Sequence, residues 1–262
     1  MKGSHAFPMP AFVPPDRTDP FVLYQSALLS TYAEQVIHGF TGKPITLGGQ
    51  SFPAEEVRAN RLAVCRHAGM DDARLTLPRQ THTDRFRIND LPCEDETDAV
   101  ILTEPGIPAM VQVADCVPII LYEPDRHIGA VIHAGWRGTA QAITQKAAQI
   151  LIDEHDARPE KLLAAIGPSI GGCCYEVSQE VAVEVANSIP EQPKSLYQSI
   201  GESGKPYVDL QQVNRLQLQA LGIGQIELIE ACTRCQPDYL WSHRRGEAGR
   251  QVAFLQLRHP RR

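Results

Sequence analysis

The sequence predicts an α/β (α+β) domain with a mixed sheet in a layered arrangement. Three observations carry this. Strand-like runs recur along the chain, and several are continuously apolar, which suits strands covered on both faces. Segments with three- and four-residue apolar spacing sit between some of them. The two kinds of segment interleave without strict βαβ alternation, which points to a mixed rather than an all-parallel sheet.

Residues 1–20, "MKGSHAFPMPAFVPPDRTDP", hold five prolines and no continuous apolar stretch. They read as a flexible, Pro-rich arm and not as a secretory leader. Residues 21–262 carry no linker or repeat and read as one domain. Residues 54–68 are moderately periodic and predict a helix. Four strand-like runs follow: "AVILT" (99–103), "AMVQVA" (109–114), "VPIILYE" (117–123) and "IGAVIHA" (128–134). Ala140, Ile143, Ala147 and Leu151 then predict a helix with Thr139 as its N-cap. "KLLAAIG" (161–167) is the next strand. After Ser178, the spacing of Val181, Val185 and Ile189 predicts a helix. Asp209 is set to cap a further one, with Gln212 at the capping-box position and Gly222 past its end. Val213, Leu216 and Ala220 give its inner stripe. "QIELIE" (225–230) and "QVAFLQL" (251–257) close the series.

Hydrophobic residues make up 43% of the 262, enough for a sizeable core. The formal charge of −6 is mixed along the chain, which argues against a nucleic-acid binder. No stretch approaches the roughly 20 apolar residues of a membrane span, so a cytoplasmic location is the expectation. The seven cysteines are an odd count without a secretory leader, which predicts free thiols. Cys173 and Cys174 are adjacent. Cys232 and Cys235 form a lone CxxC; a closed zinc site needs four ligands, so the pair reads as incidental thiols beside a strand.

Chemistry concentrates in three segments. In "GAVIHAGWRGTA" an apolar run ends in His133, with Gly135 and Gly138 allowing close backbone approach. Arg137 supplies a fork suited to phosphate or carboxylate, next to the start of a helix. In "VQVADCVPIIL", Asp115 and Cys116 lie between two strand-like runs, and a hairpin returns the chain to His133. A carboxylate in an apolar run needs a partner. In "LPRQTHTDRF", His82 follows Gln80 in a polar stretch. One thiolate and two imidazoles make either a three-ligand zinc site with an open position or a Cys–His nucleophilic pair with a helper histidine. Spacing does not choose between them.

In order, the blocks "RQTHTD", "TDAVILT", "ADCVPIIL", "HAGWRGT", "IGPSIGGCCYEV" and "CTRCQPDYLWSHRR", then Gly249-Arg250, resemble the YfiH-like or laccase-domain proteins. That family was first called multicopper polyphenol oxidase and is now often described as purine nucleoside phosphorylase. The resemblance runs from about residue 38 to the strand after Gly249. It implies a single-domain α/β/β/α-type sandwich similar to cysteine hydrolases of the cytotoxic-necrotizing-factor type. It also implies a metal, usually zinc with copper as the alternative, on His82, Cys116 and His133. The activities implied are phosphorolysis of adenosine, inosine and methylthioadenosine, with adenosine deamination beside it. Two departures stand out. The loop "HGFTGKPITLGGQS" lacks the family's arginine, and Lys43 does not replace a bidentate group. "SHRR" puts His243 where the family has a tyrosine.

Phosphorolysis needs an anion site, for which Arg137, Arg245 and Gln80 are the candidates, with purine nucleosides and phosphate as partners. Deamination needs an activated water, which an open zinc site supplies. The alternatives are a Cys116–His133 amidase acting on peptidoglycan precursors, a copper polyphenol oxidase, or a metal-binding module with weak catalysis. The assembly expected is a monomer or homodimer.

Overall fold

The computed structural model describes residues 20–49, 51–89 and 96–260. All but the last residue of the predicted N-terminal arm, and Cys93, lie outside them. The chain begins with β1 (Leu23–Tyr24), α1 (Ala27–Ser30), β2 (Val36–Thr41) and α2 (Ala54–Ala68). β3 (Phe86–Ile88), β4 (Ala99–Leu102), β5 (Pro108–Val113), β6 (Val117–Glu123) and β7 (Ile128–Ala134) follow. Then come α3 (Trp136–Ala140), α4 (Ile143–His155), β8 (Leu163–Ile166) and α5 (Gln179–Asn187). β9 (Gln198–Ile200), β10 (Pro206–Val208), α6 (Leu210–Ala220), β11 (Gln225–Leu228) and β12 (Gln251–Leu257) complete the order. Each of the seven strands expected from apolar runs is present.

Two sheets, one mixed and one antiparallel, stack face to face. The larger has the order β11-β8-β6-β7-β4-β3, with β11–β8 and β3–β4 parallel and the other pairs antiparallel. The smaller, β1-β2-β12-β5, is antiparallel. The central strands show why continuous apolar runs were needed: every residue of β6 and of β7 is buried. Ile119, Leu121, Ala130 and Ile132 point to a core shared with α4, α5 and α6. Ile120, Tyr122 and Val131 alternate with them and point to the second sheet, meeting Phe40, Val111, Ala253 and Leu255. Phe254 and Met110 face outward from that sheet into a third core with Val64 and Cys65 of α2. The layers therefore run helix, sheet, sheet, helix, and the fold is of the mixed α/β class.

Local differences from the sequence reading have physical causes. The expected helix from Thr139 is split. Gly135 is the N-cap of the short α3, and Ala142, at φ 57°, breaks the chain before α4. Thr139 is buried inside α3, where its hydroxyl accepts from Asn214 Nδ2 at 3.0 Å. Ser178 and Asp209 cap α5 and α6 as expected, accepting from Val181 N and Gln212 N. Ile189 lies past the end of α5 but is buried, and Ala220 is exposed. The "HGFT" segment, read as part of a loop, is in β2. Gly39 fits there because a Cβ would sit 2.6 Å from Phe254 Cζ on the neighbouring strand.

Candidate active site and metal centre

The larger sheet delivers three of the four groups of the site from adjacent strands. Cys116 stands immediately before β6, and His133 is in β7 opposite Pro118. Asp98 immediately precedes β4, and its carbonyl accepts the His133 N–H at 2.8 Å. His82 arrives from the loop before β3 and has φ 67°. That left-handed backbone is held by one carboxylate. Asp98 accepts the N–H groups of Thr81, His82 and Thr83 at 3.3, 3.1 and 2.7 Å, and the Thr83 hydroxyl at 2.8 Å.

Asp98 also accepts from Nδ1 of His133 at 2.7 Å, which leaves Nε2 to face Cys116 on the other side of the ring. His82 Nε2 lies 3.7 Å from Cys116 Sγ, and the two imidazoles meet edge-on with centroids 4.9 Å apart. One donor atom from each of His82, Cys116 and His133 lies within 4.8 Å of the other two. Gly135 makes this approach feasible: a Cβ there would sit 2.6 Å from His82 Cδ2 and 3.1 Å from Cys116 Sγ.

Charge is shared along the row Asp98–His133–Cys116. Burial pushes the Cys116 thiol up, but the charge of His133 and hydrogen bonds from both imidazoles outweigh it and bring the thiol down to about 6. Burial lowers His133, yet the Cys116 thiolate and the Asp98 carboxylate reverse that and raise it to about 9. Asp98, raised by burial, is brought to about 2 by the His133 hydrogen bond and charge and by Thr83. The result is a thiolate beside an imidazolium, oriented by a buried carboxylate.

Two cavities, of about 380 and 230 Å³, meet at this centre and share His82, Ala114, Cys116 and His243 as walls. The larger is bordered by Gln80, Gln112 and Arg250. The smaller is bordered by Arg137, Tyr175 and Arg244. Arg137 stacks on Trp136 at 4.5 Å, and among the described residues no carboxylate pairs with it. Arg244 stacks on Tyr175 at 4.8 Å. Both Asp115 oxygens are taken, by the Thr233 hydroxyl at 2.5 Å and the Arg244 N–H at 2.7 Å, so its expected partner exists and is structural.

The sequence candidates thus divide. His82, Cys116 and His133 come together, and Arg137 and Gln80 border the cavities. Gln80 has its amide fixed by the Gln112 backbone, donating to O at 2.8 Å and accepting from N at 2.7 Å. Arg245 is not brought to either cavity. Its guanidinium donates to the carbonyls of Thr233 and Leu240 and to Glu247 at 2.6 Å, which makes it a brace between loops. The turn holding Arg137 is also not a long-helix terminus, since α3 has five residues. Lys43 is bound to Glu247 at 2.8 Å and Pro237 O at 2.7 Å, away from the site. Sequence reasoning missed Asp98. Its signal was a carboxylate at the head of the apolar run in "TDAVILT", the argument applied to Asp115.

A sequence profile described as multi-copper polyphenol oxidoreductase laccase matches residues 51–258, a span that contains the whole site. The chain belongs to this family. Within the laccase-like family, it is 33% identical over 205 residues to a purine nucleoside phosphorylase of Bacteroides thetaiotaomicron, covering 73% of this chain and 76% of that one. It is 34% identical over 198 residues to adenosine deaminase RL5 of an unknown prokaryotic organism, covering 71% and 75%. The crystal structure of YlmD from Geobacillus stearothermophilus superposes with a TM-score of 0.81 at 26% identity, over 94% of this chain and 99% of that one. The laccase-like fold is therefore shared over nearly the full length.

Proposed function

We propose that the protein is a zinc-dependent purine nucleoside phosphorylase acting on adenosine, inosine and methylthioadenosine, with adenosine deamination as a second activity. The observation that carries this is the junction of two cavities at the His82–Cys116–His133 centre, one of them bordered by Arg137 and Arg244, whose guanidinium groups have no carboxylate partner among the described residues. The names of the phosphorylase and deaminase relatives support it.

The donor set fits zinc. One thiolate and two imidazoles are a three-ligand catalytic set, and the Asp98–His133 bond is the outer contact that orients a ligating histidine. The other cluster of potential ligands among the described residues is entirely cysteine, so no histidine-rich multicopper centre is supported. When bound, zinc would supply a Lewis acid with a position open to substrate.

The chain's own residues do the rest. Arg137 and Arg244 bind phosphate in the smaller cavity and aim one oxygen at the ribose C1′. The base sits in the larger cavity, beside Gln80 and Gln112. As the phosphate oxygen bonds to C1′, the C1′–N9 bond breaks and the purine leaves with the electron pair, taking up a proton. Trp136 and Tyr175 wall the smaller cavity and limit water, which would otherwise compete with phosphate. No helix among the described residues is long and apolar enough to cross a membrane.

The test is product-resolved turnover. Inosine should be consumed only with phosphate, giving hypoxanthine and ribose 1-phosphate in equal amounts. A second reading rests on one specific observation: the Cys116 thiolate, His133 imidazolium and Asp98 carboxylate also form the row a thiol hydrolase uses. Metal-free protein that cleaves a peptidoglycan-precursor amide and releases no base from any purine nucleoside would establish that reading instead.

A further inference from the structure

The fold completes a cluster that the sequence left half-built. Cys232 and Cys235, alone a CxxC pair, meet the adjacent Cys173 and Cys174 from a distant part of the chain. All four sulfurs lie within 4.8 Å of one another. The separations include 3.7 Å for Cys173–Cys174, 3.8 Å for Cys173–Cys235 and 3.3 Å for Cys174–Cys235. Four sulfurs about 2.3 Å from one ion, at the corners of a tetrahedron, lie about 3.8 Å apart. The three edges among Cys173, Cys174 and Cys235 are thus close to those of a tetrahedral four-thiolate shell, and Cys232 Sγ lies within 4.8 Å of each.

We propose that Cys173, Cys174, Cys232 and Cys235 bind a second zinc ion in a closed, structural site, separate from the open centre at Cys116. The backbone supports this use. The Gly171 N–H donates to Cys232 Sγ at 3.3 Å, a bond that favours a thiolate. Both ligand pairs sit on tight turns, closed by Cys174 N to Gly171 O and by Cys235 N to Cys232 O. Cys173 and Cys232 are 3% exposed, while Cys174 and Cys235 are half-buried and give an ion its way in. A four-thiolate set is soft and tetrahedral, the combination that selects zinc or iron over harder ions.

The two turns are also the supports of the open centre. Thr233, between the cysteines of the CxxC, bonds Asp115, and its N–H bonds Ser169 O at 2.9 Å. Ile170 and Tyr175 flank the cysteine pair and border the smaller cavity. An ion here would lock the wall against which Cys116 is positioned.

The test isolates the new site by removing the other. Cys116→Ala protein, expressed with zinc and gel-filtered, should retain about one zinc per chain. Adding Cys235→Ser, or Cys232→Ser, should bring it below about a tenth of an ion. Cobalt added to metal-stripped Cys116→Ala protein should show the intense visible bands of a four-thiolate tetrahedral centre, absent from the double variant. Cys235→Ser is the safer substitution for folding because Cys235 is half-buried, and the cobalt spectrum needs no cluster variant. Zinc-free Cys116→Ala protein after growth in zinc, with all four thiols reacting freely without a chelator, would overturn the proposal. So would an intact mass showing a disulfide within the cluster in freshly purified protein, or iron in place of zinc. None of these outcomes bears on nucleoside turnover, so this site and the proposed function can fail independently.

Discussion

The two cysteine centres adjoin through the Thr233–Asp115 bond yet are opposites. At Cys116 one thiol faces two imidazoles, a buried carboxylate stands behind, and two cavities open onto the group. At Cys173–Cys235 four thiols face one another, with backbone N–H support. Ligand number decides what each can do. Three protein donors leave room for a substrate, and four close the shell. Strand ends also fix position more rigidly than loops. The reactive set rides on β6, β7 and β4, while the thiol cluster must be gathered from two turns.

The sharpest way to break that contrast is to remove a ligand from the open centre. Cys116→Ala should lower nucleoside turnover by at least about 10³-fold, since a Lewis acid at the reacting bond supplies several kcal/mol. The thermal midpoint should move by less than about 3 °C, because the residue is a small, half-buried group. Zinc analysis with calorimetry checks both. A large fall in midpoint with retained turnover would make Cys116 a core residue and not a ligand.

Acid threatens both centres, so unfolding has to be separated from loss of metal. His38 in β2 provides the control. It is buried, accepts the Ser26 N–H on Nε2 at 3.1 Å, and is pulled by burial to about 4, against opposing effects of the Ser26 backbone and Glu227. Its folded pKa lies below the unfolded 6.5, so its contribution is complete above about 6.5 and is lost as the pH falls through 4. The size is on the order of 3 kcal/mol. His38→Gln should flatten the denaturant midpoint between those pH values in metal-stripped protein. An unchanged pH profile in the variant would remove His38 from the acid response.

A subtler change is to leave the ligands and alter what orients them. Asp98→Asn keeps an acceptor for part of the Thr81–Thr83 loop but cannot hold an imidazolium. Zinc affinity at the open centre should fall by about 10–100-fold, read by competition with a chromophoric chelator, while the four-cysteine site keeps its ion. Equal loss at both centres would show that Asp98 braces the fold at large.

Asp98 also marks the limit of what could be read from the chain. The central strands were legible because burial on both faces demands unbroken apolar runs, and β6 and β7 show it. β2 was hidden because His38 and Gly39 interrupt its pattern, though one is buried neutral and the other makes room for Phe254. His82, Cys116 and His133 were legible as residue types, yet their convergence depends on β6–β7 pairing and on a loop folded around one carboxylate. The four-cysteine cluster was illegible from spacing, because its halves meet only when Ser169 pairs with Cys232. Arg245 was misassigned because sequence gives a cation's identity and not its partners.

That last point yields the finest test, a comparison of two arginines. Arg245 is 17% exposed and spends its donors on two carbonyls and Glu247. Removing it leaves the Thr233 and Leu240 carbonyls short of a donor in a part-buried loop, which costs about 3 kcal/mol, while Glu247 keeps Lys43. At about 2–4 °C per kcal/mol for a chain of this size, Arg245→Ala should melt about 10 °C lower. Arg137 is exposed, touches Trp136, and has no carboxylate partner among the described residues. No carboxylate among the described residues pairs with its charge, so Arg137→Ala should leave the midpoint within about 2 °C. Its cost should appear in the phosphate KM, raised by about tenfold, or 1.4 kcal/mol of lost binding, with the KM for inosine much less affected. Lysine at 137 should recover part of that loss, since it restores the charge without the fork. If Arg137→Ala instead lowers the midpoint and raises both KM values alike, the arginine shapes the turn, and the anion must be held elsewhere, with Arg244 and Arg250 the remaining cations on the cavity walls.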